Sequence, residues 1–204
     1  RYAFGSLEGG YSAFRADITE KCTEEFNTIA IWCSNEKCDA IYPQSADFTF
    51  YGGLYRGAHL ICVPETHFEL LHYGDLGIHA ATEPASWDKE DFMLHIRTKI
   101  CGVEKDNQVI YQIFDEDGKE VASAARPADS PDTSIPLYKP HRWDIKNSYQ
   151  YTLKALIMRN NECLDEVELK FGVRTFCCDP GRGFLINGNC VPLRGVSRHQ
   201  DKLY

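Results

Sequence analysis

Phe92-Met93-Leu94-His95-Ile96-Arg97-Thr98-Lys99-Ile100 is the stretch that decides the fold class. Phe92, Leu94, Ile96, Thr98 and Ile100 fall on one side of a period-two repeat, and Met93, His95, Arg97 and Lys99 fall on the other. Successive side chains of a strand point to opposite faces, so the pattern reads as a strand with one face in a core. A helix would need apolar residues three and four apart, and no such stripe competes. The same alternation recurs in Tyr149, Tyr151, Leu153, Ala155 and Ile157, and in Val167, Leu169 and Phe171 set against Glu166, Glu168 and Lys170. Asp117-Gly118 separates residues 109–114 from 119–124, and Asn187-Gly188 separates 183–186 from 189–193. Both pairs are expected to supply the positive φ of a two-residue hairpin turn. Short strands punctuated by Pro and Gly predict an all-β sandwich over residues 65–176.

Residues 1–64 read differently. Strands are expected near residues 11–18, 27–33 and 54–63, around a long polar and aromatic loop from Ser34 to Gly53. Three strands make an incomplete sandwich, and ordering so long a loop costs entropy that a short turn avoids, which marks it as functional. Pro64 and Cys178-Asp179-Pro180-Gly181 are the expected domain seams.

Composition narrows the classes of function. The 204 residues are 43% hydrophobic and 25% charged, which excludes a collagen, a coiled coil and wholesale disorder. The net charge is −8, and no block of Lys or Arg offers the surface that releases counterions from nucleic acid, so nucleic acid is not an expected partner. No apolar run approaches the roughly 18 residues of a spanning helix, so a membrane is not one either. The opening Arg1-Tyr2-Ala3-Phe4 has neither an initiator Met nor a signal pattern, which reads as a piece of something longer. Nine cysteines, an odd number without CxxC spacing, fit a reducing compartment better than a disulfide framework. A cytoplasmic location is expected.

Three blocks carry a family resemblance. Gly183-Phe-Leu-Ile-Asn-Gly-Asn-Cys-Val-Pro-Leu-Arg-Gly-Val-Ser-Arg-His-Gln-Asp201 resembles the entry into the catalytic barrel of glycoside hydrolase family 2, the β-galactosidase and β-glucuronidase family. Residues 9–19 (GGYSAFRADIT) and 44–56 (QSADFTFYGGLYR) are similar to two motifs of that family's jelly-roll sugar-binding domain. Trp143-Asp144, Tyr149-Gln-Tyr-Thr-Leu153 and Phe171-Gly-Val-Arg-Thr175 resemble the closing half of its immunoglobulin-like middle domain. Gly57, Ser148 and Ser197 depart from the common acidic residue, Pro and Asn at those places. The resemblance implies an interior slice of three domains. Residues 1–64 would be the later part of the jelly roll, 65–176 an immunoglobulin-like sandwich, and 177–204 the start of a (β/α)8 barrel that is otherwise missing.

The implied activity is that of a retaining exo-glycosidase acting on terminal β-D-galactosides in carbohydrate metabolism, with β-glucuronidase of the same family as an alternative. A stand-alone carbohydrate-binding or assembly module without catalysis is a third reading. Retaining chemistry needs two carboxyl groups roughly 5 Å apart, one as nucleophile and one as acid/base. The family places both on later barrel strands, so no catalytic residue is expected here and the chain alone should be inactive. Asn35-Glu36 and Asn161-Glu162 imitate the family's Asn-Glu acid/base pair but lie outside any barrel strand and read as solvated turns.

Substrate contacts are expected from Asp47 and His199. The resemblance puts Asp47 near the sugar's 6-hydroxyl, where a carboxylate both accepts a hydrogen bond and ligates sodium; magnesium belongs to the whole enzyme. The plain alternative is an Asp capping its own loop. His199 falls at the tip of the first barrel strand, suited to bonding a ring hydroxyl. Arg194 and Arg198 are expected to be structural and Asp201 is open, while Phe48, Phe50, Tyr51 and Tyr55 form either a sugar-facing wall or an anchor for the loop. An acidic Asp47 beside C6 would repel a glucuronate carboxylate, which favours a neutral sugar. His59, His67, His72, His79, His95 and His141 show no metal-ligand spacing and read as strand-surface or core residues. Expected partners are β-galactoside sugars and, for the whole enzyme, further copies of itself.

Overall fold

The computed structural model describes residues 5–9, 12–39, 41, 50–54, 56–72 and 74–197. Two compact units divide the chain: Arg1–Cys62 with Gly195–Tyr204, and Val63–Arg194. The described residues of the second unit form twelve strands: β1 (His67–Phe68), β2 (Ile78–Pro84), β3 (Phe92–Thr98), β4 (Ile100–Cys101), β5 (Gln108–Phe114), β6 (Glu120–Pro127), β7 (Thr133–Leu137), β8 (Tyr151–Arg159), β9 (Glu162–Phe171), β10 (Phe176–Asp179), β11 (Gly183–Ile186) and β12 (Asn189–Cys190). No helix among the described residues is long and apolar enough to cross a membrane.

Two antiparallel sheets carry the sandwich, a three-stranded one in the order β2-β3-β7 and a four-stranded one in the order β6-β5-β8-β9. Alternation decides what each strand buries. Phe92, Leu94, Ile96 and Thr98 of β3 are all buried, as the pattern predicts, and so are Val109, Tyr111 and Ile113 of β5 and Tyr151, Leu153, Ala155 and Ile157 of β8. Register brings them side by side: Ala155 lies opposite Tyr111, and Leu153 opposite Ile113 on one flank and Leu169 on the other. These residues, with Ile135 and Leu137 of β7, form a single hydrophobic cluster. Withdrawing each large side chain from water contributes roughly 1.5–3 kcal/mol, which is what holds the two sheets face to face. Leu169 is only half-buried, because β9 is the outer strand of its sheet and has a neighbour on one side alone. Pro136, which has no N–H to give, is accommodated because β7 is likewise an edge strand.

The hairpin turns follow the backbone demands of their residues. Asn187 (φ 49°) and Gly188 (φ 78°) both take positive φ, and Ile186 pairs with Asn189, so the expected two-residue turn is present. Asn160 (φ 48°) and Asn161 (φ 69°) make a second such turn between Arg159 and Glu162. At Asp117-Gly118 only the glycine is left-handed (φ 77°). The Gly118 N–H donates to the Asp115 carbonyl and the Asp115 N–H to the Lys119 carbonyl, which makes Gly118 the extra residue of the turn; a separate register shift between Ile113 and Phe114 skips Val121. That loop is a type I turn closed by a glycine bulge, a correction to the two-residue turn expected there.

Asn187 also ties the small β10-β11-β12 sheet to the strand ends of the sandwich. Its amide donates to the Trp143 carbonyl at 3.0 Å and its Oδ1 accepts from the Thr175 N–H at 3.0 Å. Arg174 lies over the Trp143 ring at 4.7 Å, and Gly172 sits so close that a Cβ there would stand 2.8 Å from the Trp143 Cβ.

In the first unit, the described residues carry one 3-10 turn, Thr19–Lys21, and no β-ladder. The strands expected near 11–18, 27–33 and 54–63 are not formed among them. Alternation settles which face of a strand is apolar but supplies no neighbour, and a strand exists only where a partner backbone takes its hydrogen bonds. Ile29, Ile31 and Trp32 are accordingly exposed.

Candidate functional site

Asp47 and His199, the substrate residues expected from the sequence, lie outside the described residues, as do Phe48, Tyr55, Arg198 and Asp201. Of the long loop's aromatic residues, Phe50 and Tyr51 are described and exposed. The Asn35 amide donates to the Phe50 carbonyl at 3.1 Å, and a Cβ on Gly52 would stand 3.2 Å from the Asn35 side chain, so Asn35 braces the far end of the loop. Asn35, Glu36, Asn161 and Glu162 are all exposed, with Asn161 in the turn before β9 and Glu162 the first residue of that strand. Arg194 is exposed too.

One cluster that the sequence reading passed over stands out in the second unit. The Asp75 Oδ2 atom lies 2.9 Å from the Nδ1 of His72 and 2.9 Å from the Nε2 of His79. The two imidazole rings meet edge to face with centroids 6.1 Å apart. The other carboxylate oxygen of Asp75 accepts from the Gly77 N–H at 2.7 Å. Its carboxyl is held below the usual range, first by the His72 hydrogen bond and then by the Gly77 N–H. His72 and His79 thus do come together with a third ligand-type side chain, contrary to the expectation from their spacing. Their positions, three and four residues on either side of Asp75, converge because the chain between β1 and β2 folds back on itself.

That fold-back is fixed by one residue. The Lys99 carbonyl accepts from the Glu69 N–H at 2.9 Å, while the Lys99 N–H donates to the Gly77 carbonyl at 2.8 Å, so both ends of the loop are clamped to the same residue. Gly77 (φ 70°) makes the approach possible, since a Cβ would stand 2.7 Å from the Glu69 backbone. Beside the clamp, the Cys101 thiol donates to Glu69 Oε2 at 3.1 Å. Burial, with help from the Glu69 carboxylate, pushes that thiol up to about 11. Glu69 is held below its ordinary value, chiefly by the Leu71 N–H and then by the thiol.

The remaining described histidines have other work. His67 Nδ1 lies 2.8 Å from the Pro64 carbonyl, His95 bridges Ser134 and Glu83, and His141 packs on Tyr149 at 4.7 Å between ring centroids. His67 and His95 have the strand-surface roles expected of them, whereas His141 lies between β7 and β8 and the exposed His59 lies in no strand.

Residues 82–174, which run from β2 to just past β9, match the family model described as glycosyl hydrolases family 2. Residues 82–174 are a segment of glycosyl hydrolase family 2. Curated relatives of the chain include a β-glucuronidase of Bacteroides fragilis, 30% identical over 99% of the chain and 30% of the relative. A β-galactosidase of Bacteroides ovatus is 29% identical over 94% of the chain and 22% of its own length. Among solved structures, an FMN-binding β-glucuronidase from Faecalibacterium prausnitzii L2-6 superposes with a TM-score of 0.86 and 43% identity, covering 98% of the chain and 31% of that protein. The chain thus spans about a third or less of the length of these relatives.

Proposed function

We propose that the chain serves as the non-catalytic β-domain segment of a retaining β-glycosidase whose substrate is a terminal β-D-glucuronide. The observation that carries the sugar is the 43% identity, held over 98% of the chain, with a solved β-glucuronidase. This reverses the order of the two readings drawn from the sequence, in which galactosides came first. The galactoside reading keeps one specific support: an ionised Asp47 beside C6 would repel a uronate. Under the glucuronide reading Asp47 is a loop-capping residue, with no sodium to hold.

The role of the β-domains is mechanical. A fully packed sandwich fixes the relative position of whatever is attached to its two ends, and a 1 Å misplacement of a reacting group is expensive in rate. The nucleophile and acid/base come from outside residues 1–204. The absence of disulfides supports a cytoplasmic location, since all nine cysteines are free and eight are exposed.

The test is kinetic. Full-length protein carrying this segment should hydrolyse p-nitrophenyl β-D-glucuronide with kcat/KM at least about 100-fold above the β-D-galactoside, because a site built to pair a carboxylate is left unsatisfied by a neutral sugar. A preference for the galactoside would restore the other reading, and Asp47→Asn should then lower galactoside turnover. The 204-residue chain alone should release no nitrophenol from either substrate.

A further inference from the structure

We propose that His72, Asp75 and His79 form a binding site for one divalent cation of the zinc class. The three donor atoms lie within 4.8 Å of one another. Zinc takes imidazole nitrogen and carboxylate oxygen at about 2.0–2.2 Å in a tetrahedron, so its ligand atoms stand somewhat over 3 Å apart. The 2.9 Å contacts to Asp75 Oδ2 need to open by only a few tenths of an ångström. The two imidazole nitrogens, within 4.8 Å of each other, must also close by up to about 1.5 Å, and χ rotations of the partly exposed side chains supply both movements.

The donor set selects the metal. Two imidazoles and a single carboxylate suit zinc and its neighbours among the later first-row ions, whereas calcium and magnesium ask for oxygen ligands in larger number. Asp75 is set up to bind through one oxygen, since the other is already committed to the Gly77 N–H. That bond also fixes the direction of the carboxylate, as the outer partners of metal ligands do. The fourth position faces solvent and would hold water, His79 being 53% exposed.

Without metal, the nitrogens facing Asp75 carry the protons that make the two hydrogen bonds. With metal, the proton of each neutral ring moves to its other nitrogen, leaving lone pairs at His72 Nδ1 and His79 Nε2. One N–H bond breaks and another forms in each ring, with no oxidation and no net loss of protons. The ion would staple the loop between β1 and β2 to the outward face of β2, on a backbone that the Lys99 clamp has already positioned. Such preorganisation leaves little conformational entropy for the metal to remove.

Exposed cysteines also take zinc, so the experiment must identify the ligands. Zinc chloride is titrated into the 204-residue chain while imidazole nitrogens are followed by long-range proton–nitrogen correlation. One equivalent should move the His72 Nδ1 and His79 Nε2 signals and leave the other histidines unchanged, and cobalt(II) should give visible bands without thiolate-to-metal charge transfer. His79→Gln, a change on an outward strand position, should weaken zinc at that site by at least roughly 10-fold, and Asp75→Asn by a comparable factor. Imidazole signals that stay still at one equivalent, or an affinity at His72 unchanged by His79→Gln, would overturn the proposal. The wild-type signals decide it even if a variant fails to fold.

Discussion

Replacing Tyr111 with Phe removes one oxygen from the middle of the sandwich and should destabilise it by about 2–3 kcal/mol. Tyr111 is fully shielded from solvent. Its hydroxyl lies 2.7 Å from Thr98 Oγ1 and donates to the Pro131 carbonyl at 2.9 Å, which fastens β5 to the end of β3 and to the approach to β7. Thr98 is 7% exposed, so its hydroxyl loses a buried partner that water cannot readily replace, at roughly 1–3 kcal/mol. The Pro131 carbonyl is only partly buried and recovers some of its loss by hydration. The ring keeps its volume, so no cavity is added. Unfolding entropy of about 2.1 cal/mol/K per residue over the roughly 130 residues of this unit converts the loss into a fall in Tm of about 7–11 °C. The assay is urea unfolding with the slope m held constant, alongside a thermal melt. Thr98→Val should give a similar loss, and the double variant should lose less than the sum, because with both hydroxyls gone only the partly hydrated Pro131 carbonyl is left without its donor. A Tyr111→Phe change below about 0.5 kcal/mol, within the range of an ordinary surface substitution, would refute the reasoning.

Other consequences are as specific. Burial pushes the Tyr111 phenol up to about 12 against the opposing pull of the Thr98 hydrogen bond; its share of stability should be whole below pH 10 and lost as pH rises from about 10 to 12, a loss that Tyr111→Phe abolishes in alkaline melts. Gly172→Ala drives a methyl against Trp143, which is held by its own N–H on the Val173 carbonyl and by Arg174; the expected destabilisation is about 1–3 kcal/mol with altered Trp fluorescence, and an unchanged Tm would mean that Trp143 yields freely. With its thiol at about 11, Cys101 should be roughly one part in a thousand thiolate at pH 8. Mass spectrometry after a short iodoacetamide pulse should find it unmodified while exposed cysteines such as Cys33 and Cys62 react, and Glu69→Gln should speed it; early labelling of Cys101 would contradict the geometry.

What could be read from the sequence was whatever local periodicity determines. Residues 92–98 and 151–157 announce strand and buried face together, because the side-chain period and the burial coincide. Leu169 shows the limit: its alternation is right, but its half-burial depends on β9 being an outer strand, which is a matter of neighbours. Ile29 and Ile31 show it more sharply, since a correct alternation without a ladder leaves both exposed. Turn chemistry was legible where both residues tolerate positive φ, as in Asn187-Gly188, and misled at Asp117-Gly118, where the bulge lets Gly118 alone do so. The His72, Asp75 and His79 cluster was not legible. Its ligands meet because Lys99, more than twenty residues downstream of Asp75, closes both ends of their loop, and no local pattern encodes that contact. The one trace of the fold-back in the sequence is Gly74 and Gly77, which take positive φ inside the histidine-bearing segment.

The most direct test of the functional account is to follow the full-length protein's first turnovers on p-nitrophenyl β-D-glucuronide by proton NMR, watching the anomeric signal of the released sugar. A retaining glycosidase passes through a covalent glycosyl-enzyme, so the account predicts β-glucuronic acid first, with the α form growing in only as the sugar mutarotates. Release of the α anomer first, or no hydrolysis of the glucuronide at all, would contradict it.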